Sequence, residues 1–257
     1  MREFGRDIAG RGRLSFFCAF VLSSVLAGLL APLAAAAAEE TAGPRFTIAV
    51  FGDSQAQGIA GALQRLLLED SRYRVLNRTH PGAALVHGAS EWLAPVQSFA
   101  AHEKADIAVV MFGANDRLDI PAGADGPYVR FRTDAWRDVY THRVDKILSA
   151  LADAGPKIIW CGNPIARSDV YSNDMTYINA IFSAEAERYG AQYFPLWNIA
   201  ADDDGKYSAH GRDRDGVTRR LRADDGIHFT AAGYELIADK ILNLFPPIEA
   251  NAAAPTP

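Results

Sequence analysis

Two cysteines among 257 residues leave no room for a disulfide framework or a Cys/His zinc cluster. Basic charge is also short. Only 26 Lys and Arg stand against 31 Asp and Glu, for a net charge of −5, so the chain carries no electrostatic footprint for nucleic acid. Several familiar signatures are missing. Gly52, Gly58 and Gly61 have the wrong spacing for a dinucleotide fingerprint or a phosphate-binding P-loop, and no G-x-S-x-G elbow occurs anywhere. The run DDDG at 202–205 lacks the alternate-residue pattern of a calcium loop. Neither a metal nor a cofactor is expected. What remains is 49% apolar and 22% charged, an ordinary globular composition long enough for one sizeable core.

The first 38 residues read differently from the rest. Arg2, Arg6, Arg11 and Arg13 face only Glu3 and Asp7, and no charge then occurs from Leu14 to Ala38. A basic start, an apolar middle and a small-residue end describe a secretory signal peptide over 1–38. The alternative is an uncleaved membrane anchor, since those 25 uncharged residues could span a bilayer. Pro32 and the alanine run favour cleavage, and Phe17 before Cys18 is wrong for a lipid anchor. Cleavage near Ala38 leaves about 219 residues at a net charge near −7, because the segment lost is net basic. Residues 39–45 read as a short linker. The Pro/Ala-rich end, 246–257, reads as a disordered tail.

Between these ends, short apolar runs alternate with helical ones. FTIAVF (46–51), YRVLN (73–77), DIAVVMF (106–112), KIIWC (157–161) and AQYFPL (191–196) read as strands covered on both faces. Ile59, Leu63, Leu66 and Leu67 share a helical face, as do apolar residues of 134–154. A last helix follows Thr230, a plausible N-cap, and presents Tyr234, Ile237, Ile241 and Leu244. This alternation predicts one α/β domain over 46–245 around a parallel sheet, with ligands bound beyond the carboxyl ends of the strands.

Those ends carry reactive residue types. Strand one runs into Gly52-Asp53-Ser54, where a serine meets a helix N-terminus that favours developing negative charge. By itself the tripeptide reads as a helix cap. Strand two is followed by Pro81-Gly82, either an ordinary turn or a glycine that brings a backbone N–H to a ligand. Strand three ends in Gly113-Ala114-Asn115-Asp116, where the Asn amide either turns the chain or donates into a cleft. Before the last helix, Asp225 and His228 stand three apart, so the carboxylate can hold one ring nitrogen while the other faces a nucleophile. Cys161 closes strand four and reads as a small buried hydrophobe.

Taken together and in order, FGDSQAQG, the Gly82 region, GAND and DGIHFT resemble the four sequence blocks of the SGNH hydrolases, the GDSL-type esterases. The likeness spans roughly residues 46–244. GDSQAQG, GANDR, RVDKIL and RLRADDGIHFT look like a secreted bacterial branch usually filed as a domain of unknown function. The resemblance implies a flavodoxin-like three-layer α/β/α sandwich with a central five-stranded parallel sheet. It implies Ser54 as nucleophile, His228 as general base and then acid, and Asp225 as the residue that orients it. The oxyanion hole it implies comprises the N–H groups of Ser54 and Gly82 and the side-chain amide of Asn115. Asp53 and Asp116 then brace their loops. Gly88 is a second glycine in the Gly82 block, and Asp224 adjoins Asp225. Gln55 replaces the leucine of many members and reads as a polar residue at the rim.

The expectation is a secreted or periplasmic serine esterase acting on an O-acyl group of an envelope or extracellular carbohydrate. Its partner is a small-molecule or glycan ester, with no nucleic acid, and membrane contact only through an uncleaved leader. An O-acyltransferase with the same triad and an inactive carbohydrate-binding module are the alternatives. The charged stretch 202–224 reads as a solvated loop or hairpin, or else as a rim that brings Arg219, Arg220 and Arg222 to the substrate. Arg117, just after GAND, is similarly placed to pair with an anionic acyl or glycan group.

Overall fold

The run FTIAVFG is apolar at nearly every position, and such a strand is stable only where both faces of its sheet are covered. That is how it sits in the computed structural model of the chain, which describes residues 46–122 and 126–245. The expected signal peptide, linker and C-terminal tail lie outside the described residues. Strands β1 (Phe46–Gly52), β2 (Tyr73–Thr79), β3 (Ile107–Met111), β4 (Lys157–Cys161) and β5 (Gln192–Phe194) form one parallel sheet in the order β2-β1-β3-β4-β5. This is the flavodoxin-like strand order, and the chain changes direction across the sheet at β1 and β3. Register places Ile48 beside Val75 on one side and Ile107 on the other.

Alternation along β1 sends Ile48 and Val50 to one face and Ala49 and Phe51 to the other. On the first face pack α1 (Ser54–Leu66) and the last helix, which meet through Ile59, Leu63, Ile237 and Ile241. On the second face lie three further helices, Ala94–His102, Asp134–Ala154 and Asp169–Arg188, preceded by the short helix Ala89–Trp92. In chain order after α1 they are α2 (Ala89–Trp92), α3 (Ala94–His102), α4 (Asp134–Ala154), α5 (Asp169–Arg188) and α6 (Ala231–Leu242). Trp136, Tyr140, Val144, Ile147, Leu148 and Leu151 form the buried stripe of α4. Thr133 caps its start through the Trp136 N–H, and Gly155 ends it in the left-handed conformation. Two small hairpins complete the fold, Ile120–Pro121 with Tyr128–Val129 and His210–Arg212 with Thr218–Arg220. The stretch 202–224 is thus built around a hairpin with an exposed second strand. Among the described residues no helix is long and apolar enough to cross a membrane.

Gly52 sets where β1 stops. Its φ is +141°, and a Cβ there would lie 1.8 Å from the Met111 carbonyl oxygen of the neighbouring strand. Only glycine lets the chain leave the sheet so close to β3. Gly52→Ala is therefore expected to destabilise the fold by about 2–3 kcal/mol, which lowers the melting temperature of a domain this size by roughly 5–10 °C. An unchanged melting curve by circular dichroism would contradict this account.

Candidate active site

Helix α1 begins directly where β1 ends, so its first turn lies at the carboxyl edge of the sheet. Asp53 caps it. Its Oδ1 accepts the Gln55 N–H at 2.8 Å, and its Oδ2 accepts the Ala114 N–H at 3.3 Å, which ties the β1 and β3 exits together. Ser54 is the first helical residue, and its N–H has no hydrogen-bond partner among the described residues. Its Oγ lies 2.8 Å from His228 Nε2.

The histidine comes from the tight turn before α6. Asp225 Oδ2 meets His228 Nδ1 at 2.6 Å, while Oδ1 accepts the N–H groups of Ile227 and His228 at 2.8 and 2.9 Å. Partial desolvation works against the Asp225 charge. Those two N–H groups and the imidazole outweigh it and hold the carboxyl down at about 2. An ionised Asp225 requires the ring proton on Nδ1, which leaves Nε2 to accept the Ser54 hydroxyl proton. Asp224 points elsewhere and pairs with Arg220.

Gly82 and Asn115 approach from the next two strand ends. Gly82 has φ +84° with open space around it, and its N–H has no partner among the described residues. Asn115 Nδ2 donates to the Ala83 carbonyl at 3.1 Å, and the second N–H of that amide has no protein acceptor among the described residues. The loop is held from beneath. Val86 N–H donates to Asp116 Oδ1 at 3.0 Å, Tyr140 OH donates to Asp116 Oδ2 at 2.7 Å, and Arg143 grips the carbonyls of Leu85 and His87. Gly88 lies further along, where it caps α2.

Two sequence expectations need correction. Arg222 is not at the surface that a substrate meets. Its side chain is fully buried, and the guanidinium donates to the carbonyls of Ile165 (2.6 Å), Ile227 (2.9 Å), Gly226 (3.3 Å) and His228 (3.3 Å). With those donors committed to the backbone, it holds the histidine turn instead of a ligand. Arg219 and Arg220 are likewise taken, by Asp213 and Asp224. Gln55 is not a rim residue either. It is buried, donating from Nε2 to the Ile227 carbonyl at 2.8 Å and accepting the Tyr234 hydroxyl at 2.8 Å.

Arg117 does face open space, with its Nε on Asp174 Oδ2 at 2.7 Å and its guanidinium 4.8 Å from the Tyr171 ring centroid. Asp174 and Tyr171 sit on α5, and only their place within an apolar helical stripe, next to Met175 and Ile178, could have pointed to them. Cys161 is buried, and desolvation pushes its thiol up to about 12. Among the described residues no three His, Cys, Asp or Glu side chains are grouped to hold a metal ion.

Asp53 and Asp116 are wholly buried, and desolvation pushes their carboxyls up to about 7 and about 6. Both values lie above the carboxylate range of an unfolded chain, so the folded state binds more protons between about pH 4 and 7. Stability from this source is full at the acid side of that window and is lost as pH rises through 6 and 7. Melting temperatures are expected to fall from pH 5 to pH 8. Asp116→Asn should flatten the slope by up to about 1.4 kcal/mol per pH unit where Asp116 titrates. Parallel wild-type and mutant curves would refute the assignment.

The family model described as "Protein of unknown function (DUF459)" matches residues 47–244. No curated protein matches the sequence. Among solved structures, the acetyl xylan esterase AlAXEase superposes with a TM-score of 0.56 at 17% identity, over 78% of this chain and all of that one. A member of the lipolytic protein G-D-S-L family from Veillonella parvula gives 0.56 at 16% identity, over 79% and 100%. The periplasmic domain of a lipopolysaccharide acetyltransferase from Salmonella ser. Paratyphi A gives 0.51 at 17%, over 82% and 88%. At such identities the likeness is one of fold, the fold expected from the four sequence blocks. With nearly all of its described residues inside the matched span, the chain belongs to the DUF459 family.

Proposed function

We propose that the protein is a serine esterase, secreted or periplasmic, that removes an O-acyl group from an envelope or extracellular carbohydrate. The observation that carries this reading is the continuous relay from Ser54 Oγ through both nitrogens of His228 to an ionised Asp225. Ser54 Oγ attacks the ester carbonyl carbon as its proton passes to His228 Nε2, and Asp225 stabilises the imidazolium that results. The carbonyl oxygen becomes an oxyanion facing the N–H groups of Ser54 and Gly82 and the second N–H of Asn115. Collapse breaks the ester bond, and His228 returns the proton to the departing alcohol. Water, deprotonated by His228, then attacks the acyl-enzyme, and the free acid leaves with Ser54 restored.

Solved structures of this fold include enzymes of acetyl-ester chemistry on carbohydrate, which supports the substrate class. One of them is an acetyltransferase domain, so a sugar hydroxyl in place of water is the second reading. Incubation with an acyl donor and a glycan acceptor separates the two, because transfer yields acyl-glycan at the expense of free acid. An inactive binding module is disfavoured by the intact relay.

Ser54→Ala is expected to abolish p-nitrophenyl acetate turnover without changing the melting temperature, and to abolish labelling by a fluorophosphonate probe. Wild-type activity in that variant would remove Ser54 from the nucleophile role. Asn115→Ala, which removes one oxyanion donor, should lower kcat by about 10²–10³ with a smaller effect on KM.

A further inference from the structure

Arg117 lines two cavities. The larger, about 840 Å³, runs past Val86, Leu118, Pro121 and Tyr128. The smaller, about 330 Å³, has Arg117, Arg167, Tyr171, Asp225 and Ile227 in its walls, so it adjoins the turn that presents His228. Its charge is unbalanced. Asp174 accepts Arg117 Nε at 2.7 Å through one oxygen and Arg132 Nη1 at 3.0 Å through the other, so one carboxylate answers two guanidiniums. Arg117 uses only Nε in that bond. Its two terminal nitrogens make no hydrogen bond among the described residues, and stacking on Tyr171 fixes the plane they present.

Arg167 adds a second unanswered cation. It makes no ion pair among the described residues. Its Nη1 donates to the Asp224 carbonyl at 2.8 Å, and its backbone N–H donates to the Gly226 carbonyl at 3.1 Å. That seat holds it against the Asp225–His228 turn, on an exposed stretch of chain. Asp225, the one carboxylate among the lining residues, is already engaged by two N–H groups and the imidazole.

We propose that this cleft binds a carboxylate carried by the ester substrate, held between Arg117 and Arg167 while the scissile carbonyl lies at Ser54. The inference rests on the esterase reading and narrows its substrate to an anionic ester. The guanidinium fork fits the paired oxygens of a carboxylate, and a monoanion meets less repulsion from Asp225 in the same cavity than a dianion would. The carboxylate can belong to the acyl half, as in a half-ester of a dicarboxylic acid, or to the alcohol half, as in an acylated uronic acid.

The test compares kcat/KM for p-nitrophenyl hydrogen succinate and p-nitrophenyl acetate, and for acetylated glucuronic acid and acetylated glucose. One pair is expected to favour its anionic member by about 10- to 100-fold, and which pair does so identifies the half that carries the charge. The double variant Arg117→Gln/Arg167→Gln should erase that ratio, and Arg117→Lys should restore it only in part. Arg167→Gln alone, which costs a single side-chain hydrogen bond, reads the same ratio if the double variant fails to fold. Calorimetric titration of Ser54→Ala with glucuronate and with monomethyl succinate, against methyl glucoside and dimethyl succinate, reads binding without turnover. Ratios near one in both pairs overturn the proposal, as does an anionic preference that survives the double variant. If neither ester is hydrolysed and the fluorophosphonate probe does not react, the esterase reading has failed. The titration then decides the cleft by itself: carboxylate binding lost in Arg167→Gln supports it, and equal affinity for charged and neutral probes ends it.

Discussion

The guanidinium of Arg222 is taken wholly out of water with no carboxylate among the described residues to meet it, so backbone carbonyls have to carry its charge. Burying a cation is costly unless its donors are used, and desolvation pulls this one down to about 10. The carbonyls that answer it belong to Gly226, Ile227 and His228 on one side and Ile165 on the other, with the Phe229 ring 4.4 Å from the guanidinium carbon. Three of those four lie in the turn that presents the imidazole. The His228 turn and the β4–α5 connection are thereby held on one buried ion, and any drift of the turn would strand part of that charge.

The same device recurs with opposite sign on the other side of the cleft. Asp53 gathers N–H groups from Gln55 and Ala114, and Asp116 gathers Val86 N–H and Tyr140 OH, while Arg143 takes the carbonyls of Leu85 and His87. Neither carboxyl is confined to a simple pair. Asp53 ties the β1 and β3 exits together and Asp116 ties the β3 exit to the Gly82 loop, which satisfies backbone N–H groups that would otherwise face a dry interior. Gln55 joins the two halves, because it follows Ser54 in sequence yet donates to the Ile227 carbonyl that Arg222 also holds. The tie links the helix start that carries Ser54 to the turn that carries His228.

That division explains which features are legible in the sequence and which are not. The central strands are legible because burial on both faces makes an apolar run, and KIIWC matches β4 from end to end. The edge strands β2 and β5, also expected to be covered on both faces, are only partly buried. The 134–154 helix is legible because its apolar stripe recurs at helical spacing along the whole segment. The order of Ser54, Gly82, Asn115 and Asp225–His228 is legible because three of the four follow strands of a parallel sheet. Gln55 and Arg222 are not. Polar residue types are read as surface by default, and their burial depends on carbonyls arriving from segments far along the chain. Arg222 also stands in a run with Arg219 and Arg220, which do stay outside, and nothing in the spacing marks which arginine turns inward.

The relay itself is shallow. Asp225 retains 47% of its side-chain exposure and His228 37%, so water still reaches both partners of the pair. What holds Asp225 ionised is a pair of backbone N–H groups together with the imidazole, and what aims the N–H groups is the Gly226 turn, left-handed at φ +74° and fastened by Arg222. The free N–H groups of Ser54 and Gly82 are aimed in the same indirect way, by the Asp53 cap and by the Asp116–Arg143 brace under the Gly82 loop. In an open site, donors stabilise developing charge only if they need not reorganise when it appears. Here the bracing comes from Asp53, Asp116 and Arg222, buried one layer below the relay, and the exposed residues around it remain free to differ.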